Sequence, residues 1–118
     1  MARHNRLGEF GEGLAADFLT RRGYKIISRN ERLSHKELDI IAKNGPDLIF
    51  VEVKTKNLGQ AAAEDYLTHA KIKKVKQAMV EYCLKHRFCL ARARADFIAI
   101  SLNLSQKKAK IKHFKNIF

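Results

Sequence analysis

Three side chains close together in this sequence, Asp39, Glu52 and Lys54, have the types and spacing needed to hydrolyse a phosphate ester. Between them lies Asn44-Gly45-Pro46-Asp47, a strong turn signal, because Gly45 tolerates positive φ and Pro46 cannot extend a central ladder. A symmetric loop over those residues sets Asp39 opposite Glu52 and Glu37 opposite Lys54. Side chains two apart on a strand share a face, so all four groups project from one side of the sheet. Carboxylates placed opposite one another repel and weaken a sheet. Both acids also sit in apolar runs, Leu38-Asp-Ile-Ile-Ala42 and Ile49-Phe-Val-Glu-Val53, whose flanks predict burial. An unpaired buried carboxylate is strongly disfavoured, so the pair calls for a cation.

A hard divalent ion, Mg²⁺ or Mn²⁺, meets that demand. Mg²⁺ prefers oxygen ligands, takes one or two carboxylates and keeps several waters, which leaves the site open to substrate. Held there, it would polarise a scissile phosphate and lower the pKa of a bound water. Lys54 adds a positive charge able to orient or help deprotonate the attacking water and to stabilise the transition state. The competing reading is an ordinary solvated sheet face, and a register slip of one residue would separate the groups. Glu12 is a further candidate: it sits at the edge of the first helix's apolar stripe, with no base placed to pair with it along the helix.

The elements that must position these groups follow from periodicity. From Gly8 to about Arg22, Phe10, Leu14, Ala15, Phe18 and Leu19 gather on one side of a 3.6-residue period, predicting an amphipathic helix stopped by Gly23. Strand-like runs cover Tyr24 to Ser28, Leu38 to Ala42 and Leu48 to Lys54, the last with Ile49, Val51 and Val53 on one face. Asn57 to Leu67 has no clear period and reads as a loop or flap. A second helix starts at the N-cap candidate Thr68 and runs to about His86, with Ile72, Val75, Met79, Tyr82 and Cys83 as its buried stripe. Ala95 to Leu102 and Ala109 to Phe114 close the chain as strands. In the last of these, Lys108, Lys110 and Lys112 protect an edge or meet phosphate. The order is helix, three strands, helix, two strands: an α/β layout with a mixed sheet flanked by helices.

With 118 residues and 46% hydrophobic side chains, the chain has room for one core, so residues 1–118 are read as a single domain. Lys and Arg number 24 against 12 Asp and Glu, a net charge of +12. Such a surface favours polyanions, of which nucleic acid is the commonest in cells. No stretch nears the roughly 20 apolar residues of a membrane span, and no apolar signal core follows the N-terminus, so the expectation is a cytoplasmic protein without a membrane role. Cys83 and Cys89 are too few for a disulfide framework, and the five histidines have no metal-ligand spacing.

Lys71, Lys73, Lys74 and Lys76 open the second helix, and Arg92 and Arg94 follow its end; without interleaved acids they read as phosphate contacts beside the cut site, against the alternative of a solvated face. Asp96 could support Lys54 or the metal shell, with pairing to an arginine the more expected use.

Gly8-Glu-Phe-Gly-Glu12, Gly23-Tyr-Lys-Ile-Ile27 with Asn30 and Arg32, Glu37-Leu-Asp-Ile-Ile-Ala42, Phe50-Val-Glu-Val-Lys54 and the ending Asn116-Ile-Phe118 resemble the YraN-like family of small bacterial proteins. Lys36 stands where that family usually has glycine, and Leu58 to Asp65 lacks its usual Phe-Gly-X-Pro. The family is similar in fold to Holliday junction resolvases and other PD-(D/E)XK nucleases. That resemblance implies a restriction-endonuclease-like fold, metal ligation by Asp39 and Glu52, a catalytic Lys54, and Glu12 completing the site. It also points to structured or branched nucleic acid, with DNA favoured over RNA and RNA left open, and to a homodimer, since a four-way junction offers two symmetric strands. The alternative is a nonenzymatic basic nucleic-acid-binding module that keeps the fold for shape.

Overall fold

A computed structural model describes residues 6–59 and 62–118. Helix α1 spans Arg6–Arg21, followed by strands β1 (Lys25–Leu33), β2 (Lys36–Asn44) and β3 (Asp47–Asn57). A 3-10 turn over Ala63–Tyr66 leads to helix α2 (His69–Lys85), and a second at Leu90–Arg92 leads to β4 (Ala93–Asn103) and β5 (Lys108–Phe114). The five strands form one mixed sheet in the order β1-β2-β3-β4-β5. All neighbours are antiparallel except β3 and β4. A parallel pair needs a crossover, and α2 lies within it. None of the described helices is long and apolar enough to cross a membrane.

The helices cover opposite faces. Ala15 and Leu19 of α1 pack on Ile40, Ala42, Ile49, Val51, Ile98 and Ile100. On the other side Val75, Ala78, Met79, Tyr82 and Cys83 of α2 pack on Ile41, Leu48, Phe50 and Ala95. Strand β3 is therefore buried on both faces from Leu48 to Glu52, which is why its sequence is apolar at nearly every position and why Glu52 is drawn out of water.

The predicted stripe of α1 is corrected at Phe10, which is 57% exposed, while Gly11, Glu12, Ala15 and Leu19 are buried. The cause is a close approach. A Cβ on Gly11 would lie 1.6 Å from Thr55 Oγ1 of β3, so the helix turns its smallest residues to the sheet and Phe10 away from it. In a helix, alanine normally outranks glycine by about 1 kcal/mol. Gly11→Ala is expected to do the opposite and lower stability by about 1–3 kcal/mol through overpacking, read from denaturant melts.

The Asn57 to Leu67 segment is more ordered than the expected flap. β3 continues to Asn57, Leu58 N–H donates to Leu102 O at 2.7 Å, and Ala63 is buried against Phe97 and Ala99; Gln60 and Ala61 lie outside the described residues. α2 starts as expected, with Thr68 Oγ1 accepting from Lys71 N–H at 3.2 Å. Its first turn holds no acid, although negative charge is what the positive end of a helix favours.

Candidate active site

The β2–β3 pairing runs from Asn44↔Asp47 to Ile40↔Val51, the register the turn predicts. One step further, Asp39 comes beside Glu52. There the Val53 N–H donates to Asp39 Oδ2 at 2.8 Å, so a side-chain carboxyl takes the amide hydrogen. Glu52 is buried, with Oε1 2.7 Å from Lys71 Nζ. Its Oε2 is also buried and has no hydrogen-bond partner among the described residues.

Burial and the charge of Glu52 hold the Asp39 carboxyl well above the usual carboxylate range, against the opposing Val53 amide and Lys71 ammonium. Burial raises Glu52 as well, and Lys71 limits that rise by its charge and hydrogen bond. Lys71 would be lowered by its own partial burial, but Glu52 reverses this and raises it. A protonated Asp39 can hydrogen-bond to Glu52, so the two acids share a cluster in which one charge is held readily and two are not.

Two cavities meet at this cluster, and Asp39, Glu52 and Lys71 line both. The larger, about 460 Å³, adds Lys36, Glu37 and Lys74 among its walls. The smaller, about 270 Å³, adds Val53, Lys54, Tyr66 and Phe97. Lys54 Nζ sits 4.6 Å and Lys56 Nζ 4.1 Å from the Tyr66 ring centroid, a cation–π arrangement that steadies two flexible ammonium groups. Tyr66 was not anticipated as a site residue. Its one signal was an aromatic side chain in an otherwise alanine-rich segment.

Glu12 approaches from the α1 side. It is buried, 4.0 Å from Arg29 Nη2 on β1, and close enough for its charge to raise Asp39. Among the described residues no group of three His, Cys, Asp or Glu side chains stands ready to hold a metal ion, and Glu12 reaches the acid pair through its charge on Asp39. The oxygen donors that could hold an ion together are those of Asp39 and Glu52. Two carboxylates with waters suit Mg²⁺, and the buried, unsatisfied Glu52 Oε2 is an oxygen such an ion would satisfy, so the residues fit the group.

Several expected contributors stand elsewhere. Glu37 stands opposite Arg32 in the β1–β2 register and lines the larger cavity, whereas Lys54 lines the smaller, and the β2–β3 ladder ends at Ile40↔Val51, short of their level. Asp96 lies on the α1 side of β4 and is fully buried. It accepts from Arg94 Nε at 3.0 Å and from Asn116 N–H at 2.9 Å, and it contacts His113 Nε2 at 2.8 Å. Pairing with an arginine is its use, and support for Lys54 is not. Arg94 is thereby removed from the phosphate-binding set, its Nη2 also donating to Tyr24 Oη at 2.9 Å. Arg92 sits 3.6 Å from Asp47, next to the Leu48↔Ala93 pair, which is itself four residues and roughly 13 Å along the strand from Glu52↔Phe97. Lys74 does line the larger cavity. Lys73 and Lys76 line an adjoining groove that shares Lys36 and Gln77 with it. Lys71, expected among the phosphate contacts, is instead the partner of Glu52.

A mixed-sheet α/β fold with two flanking helices, in which the neighbouring strands β2 and β3 bring an acid pair and a lysine to the foot of a basic helix, defines the structural class. Within that class the chain belongs to Uncharacterised protein family UPF0102, the family already marked by its YraN-like motifs, whose profile matches residues 11–100. It is 38% identical over 119 residues to a UPF0102 protein of Flavobacterium psychrophilum, covering 100% of this chain and 98% of that one. A UPF0102 protein of Dehalococcoides mccartyi is 39% identical over 110 residues, with 92% and 89% covered. A third, from Geobacter metallireducens, is 38% identical over 120 residues, with 100% and 97% covered.

Proposed function

We propose that this protein is a metal-dependent endonuclease with a restriction-endonuclease-like site, hydrolysing phosphodiester bonds in structured or branched DNA in the cytoplasm. The observation that carries the reading is the Asp39–Glu52 pair, a half-buried and a buried carboxyl forced together at the end of a ladder, with an unsatisfied oxygen and a lysine two residues on. Nothing in the core gains from that arrangement, since buried like charges are destabilising unless a cation or proton separates them.

In this reading Asp39 and Glu52 hold Mg²⁺ or Mn²⁺, which when bound polarises the scissile phosphate and lowers the pKa of a water. Lys54, steadied on Tyr66, orients the attacking water and stabilises charge developing on the phosphate. Lys74, Lys36, Lys73 and Lys76 follow the cavity and the adjoining groove as a basic track for backbone phosphates. Lysines crowded at the positive end of α2 work against the helix itself, which supports an anionic partner. Two copies acting together would suit a four-way junction.

Cleavage of duplex, flapped, four-way and single-stranded substrates with and without added metal tests the reading. The expected result is metal-dependent cutting of at least one of them, lost in Glu52→Ala and in Lys54→Ala. Inactivity on all, or unchanged cutting in both variants, defeats it.

The Lys71–Glu52 ion pair favours a second reading, because it neutralises one acid without any metal. On that reading the chain is a nonenzymatic nucleic-acid-binding module. Its binding would fall steeply with salt, need no Mg²⁺ and survive Lys54→Ala nearly intact.

A further inference from the structure

We infer that Lys71 is the resident cation of the acid pair, and that a divalent ion gains Glu52 only by displacing the Lys71 ammonium from it. The inference rests on the metal-dependent reading above and concerns how that site is kept when no ion is bound.

The geometry sets the two cations against each other. Lys71 Nζ lies 2.7 Å from Glu52 Oε1, and the open Oε2 belongs to the same carboxylate, so an ion held there at about 2.0–2.1 Å would have the ammonium on the neighbouring oxygen. Like charges a few ångströms apart on one shielded carboxylate repel strongly, which favours release of the ammonium as the ion enters.

The way out is a rotation of one side chain. Lys71 is 44% exposed at its side chain while Glu52 is 9% exposed, so the stem runs along the surface and only its tip enters the site. Its backbone is pinned at the start of α2 by the Thr68 cap, and the flexible four-carbon stem can turn without moving the helix. Because Lys71 lines both cavities, the same swing removes a wall they share. The ammonium would then turn toward the cavity that Lys74 lines, where a phosphate oxygen is its natural partner.

Holding the site closed for most of the time weakens the apparent affinity for the ion by the fraction of molecules left open. If Lys71 occupies Glu52 in nine molecules of ten or more, its removal tightens metal binding by about tenfold or more.

Calorimetric titration with Mn²⁺ at pH 8, without nucleic acid, compares the full chain with Lys71→Met and Lys74→Met. Lys71→Met is expected to bind about tenfold or more tightly, and Lys74→Met, which removes an equal charge from the same cavity, to stay within about threefold. Equal tightening in both variants would reduce the effect to general electrostatics and overturn the inference. Unchanged or weaker binding by Lys71→Met would overturn it too, and if the parent chain still bound Mn²⁺ the metal-dependent reading would stand. Failure of every protein to bind would remove both.

A lysine side-chain NMR titration of the unaltered protein with Mg²⁺ covers the case in which Lys71→Met does not fold. The Lys71 Cε signal should move to the position of a solvated lysine with the same midpoint as ion binding. A Lys71 signal that stays put while the ion binds overturns the displacement.

Discussion

Asp39→Asn is expected to lower metal-dependent cleavage on the order of 10³-fold, the several kcal/mol that a correctly held ion contributes in the transition state, and in the same step to raise the melting temperature. The two effects have one cause. Asp39 is half-buried, and its desolvation together with the charge of Glu52 sets its carboxyl well above the usual range. An asparagine keeps the shape, lets its carbonyl oxygen accept from Val53 N–H as Oδ2 does now, and turns an amide N–H toward Glu52. It removes the buried charge, and a gain of about 0.5–2 kcal/mol is the ordinary scale of such a relief.

The pH dependence has a defined sign. For a carboxyl raised in the folded state, the favourable contribution is fully present below the unfolded value of about 3.9 and is lost as pH rises through the folded value. The stability advantage of Asp39→Asn should therefore be absent in acid, grow across that interval and level off above it. Denaturant melts across pH measure this directly. An Asp39→Asn protein that cuts as well as its parent, or is less stable at pH 8, would place the acid in the scaffold instead of the chemistry.

The opposite pattern is expected at Asp96, a fully buried acid. Asp96→Ala is expected to cost about 3–5 kcal/mol, because it strands buried charge and hydrogen-bond donors instead of relieving them. Burial by itself would raise Asp96, but hydrogen bonds from His113, Arg94 and the Asn116 amide, with the charge of Arg94, outweigh it and hold the carboxyl below its ordinary value. Its loss would leave Arg94 with Tyr24 Oη and release the C-terminal segment, where Ile117 N–H donates to Ala95 O at 2.9 Å. Against a total of about 5–15 kcal/mol for a domain of ordinary stability, that is a large share.

The sign of its pH dependence is reversed. A lowered carboxyl contributes stability that is present above about pH 3.9 and lost as pH falls toward the folded value, and Asp96→Asn should lose that acid-side slope. Because Asp96 faces α1 and the acid pair faces α2, cleavage per folded molecule should survive in either Asp96 variant. Loss of stability with activity kept at Asp96, against loss of activity with stability gained at Asp39, separates scaffold from site within one sheet.

How much of this was legible beforehand depended on the reach of the interaction. The β2–β3 register followed from the Asn44–Asp47 turn because a tight turn dictates pairing for several residues on either side, and Gly45 does adopt the positive φ of 62° that was expected. The stop of α1 at Gly23, with φ at 88°, and the Thr68 cap of α2 are equally local. Asp39 beside Glu52 needed only that local geometry and the alternation of a strand.

What the chain could not declare in one dimension was the partner each charge would choose. Lys71 meets Glu52 because α2 crosses over the sheet between β3 and β4, and the same lysine on a helix docked elsewhere would have faced phosphate, as its spacing suggested. Asp96 was readable as an arginine's partner, but the addition of His113, Asn116 and Tyr24 came from β5, the C-terminal segment and the α1–β1 junction closing around it. Phe10 turned outward because Gly11 backs onto Thr55, a contact between residues far apart in sequence. Turns, caps and periodicity act over a few residues and can be read along the chain. Which buried acid takes an ammonium, a guanidinium or an open oxygen is settled by strand order and helix placement, since in a dry interior the nearest counter-charge wins and nearness is a property of the fold.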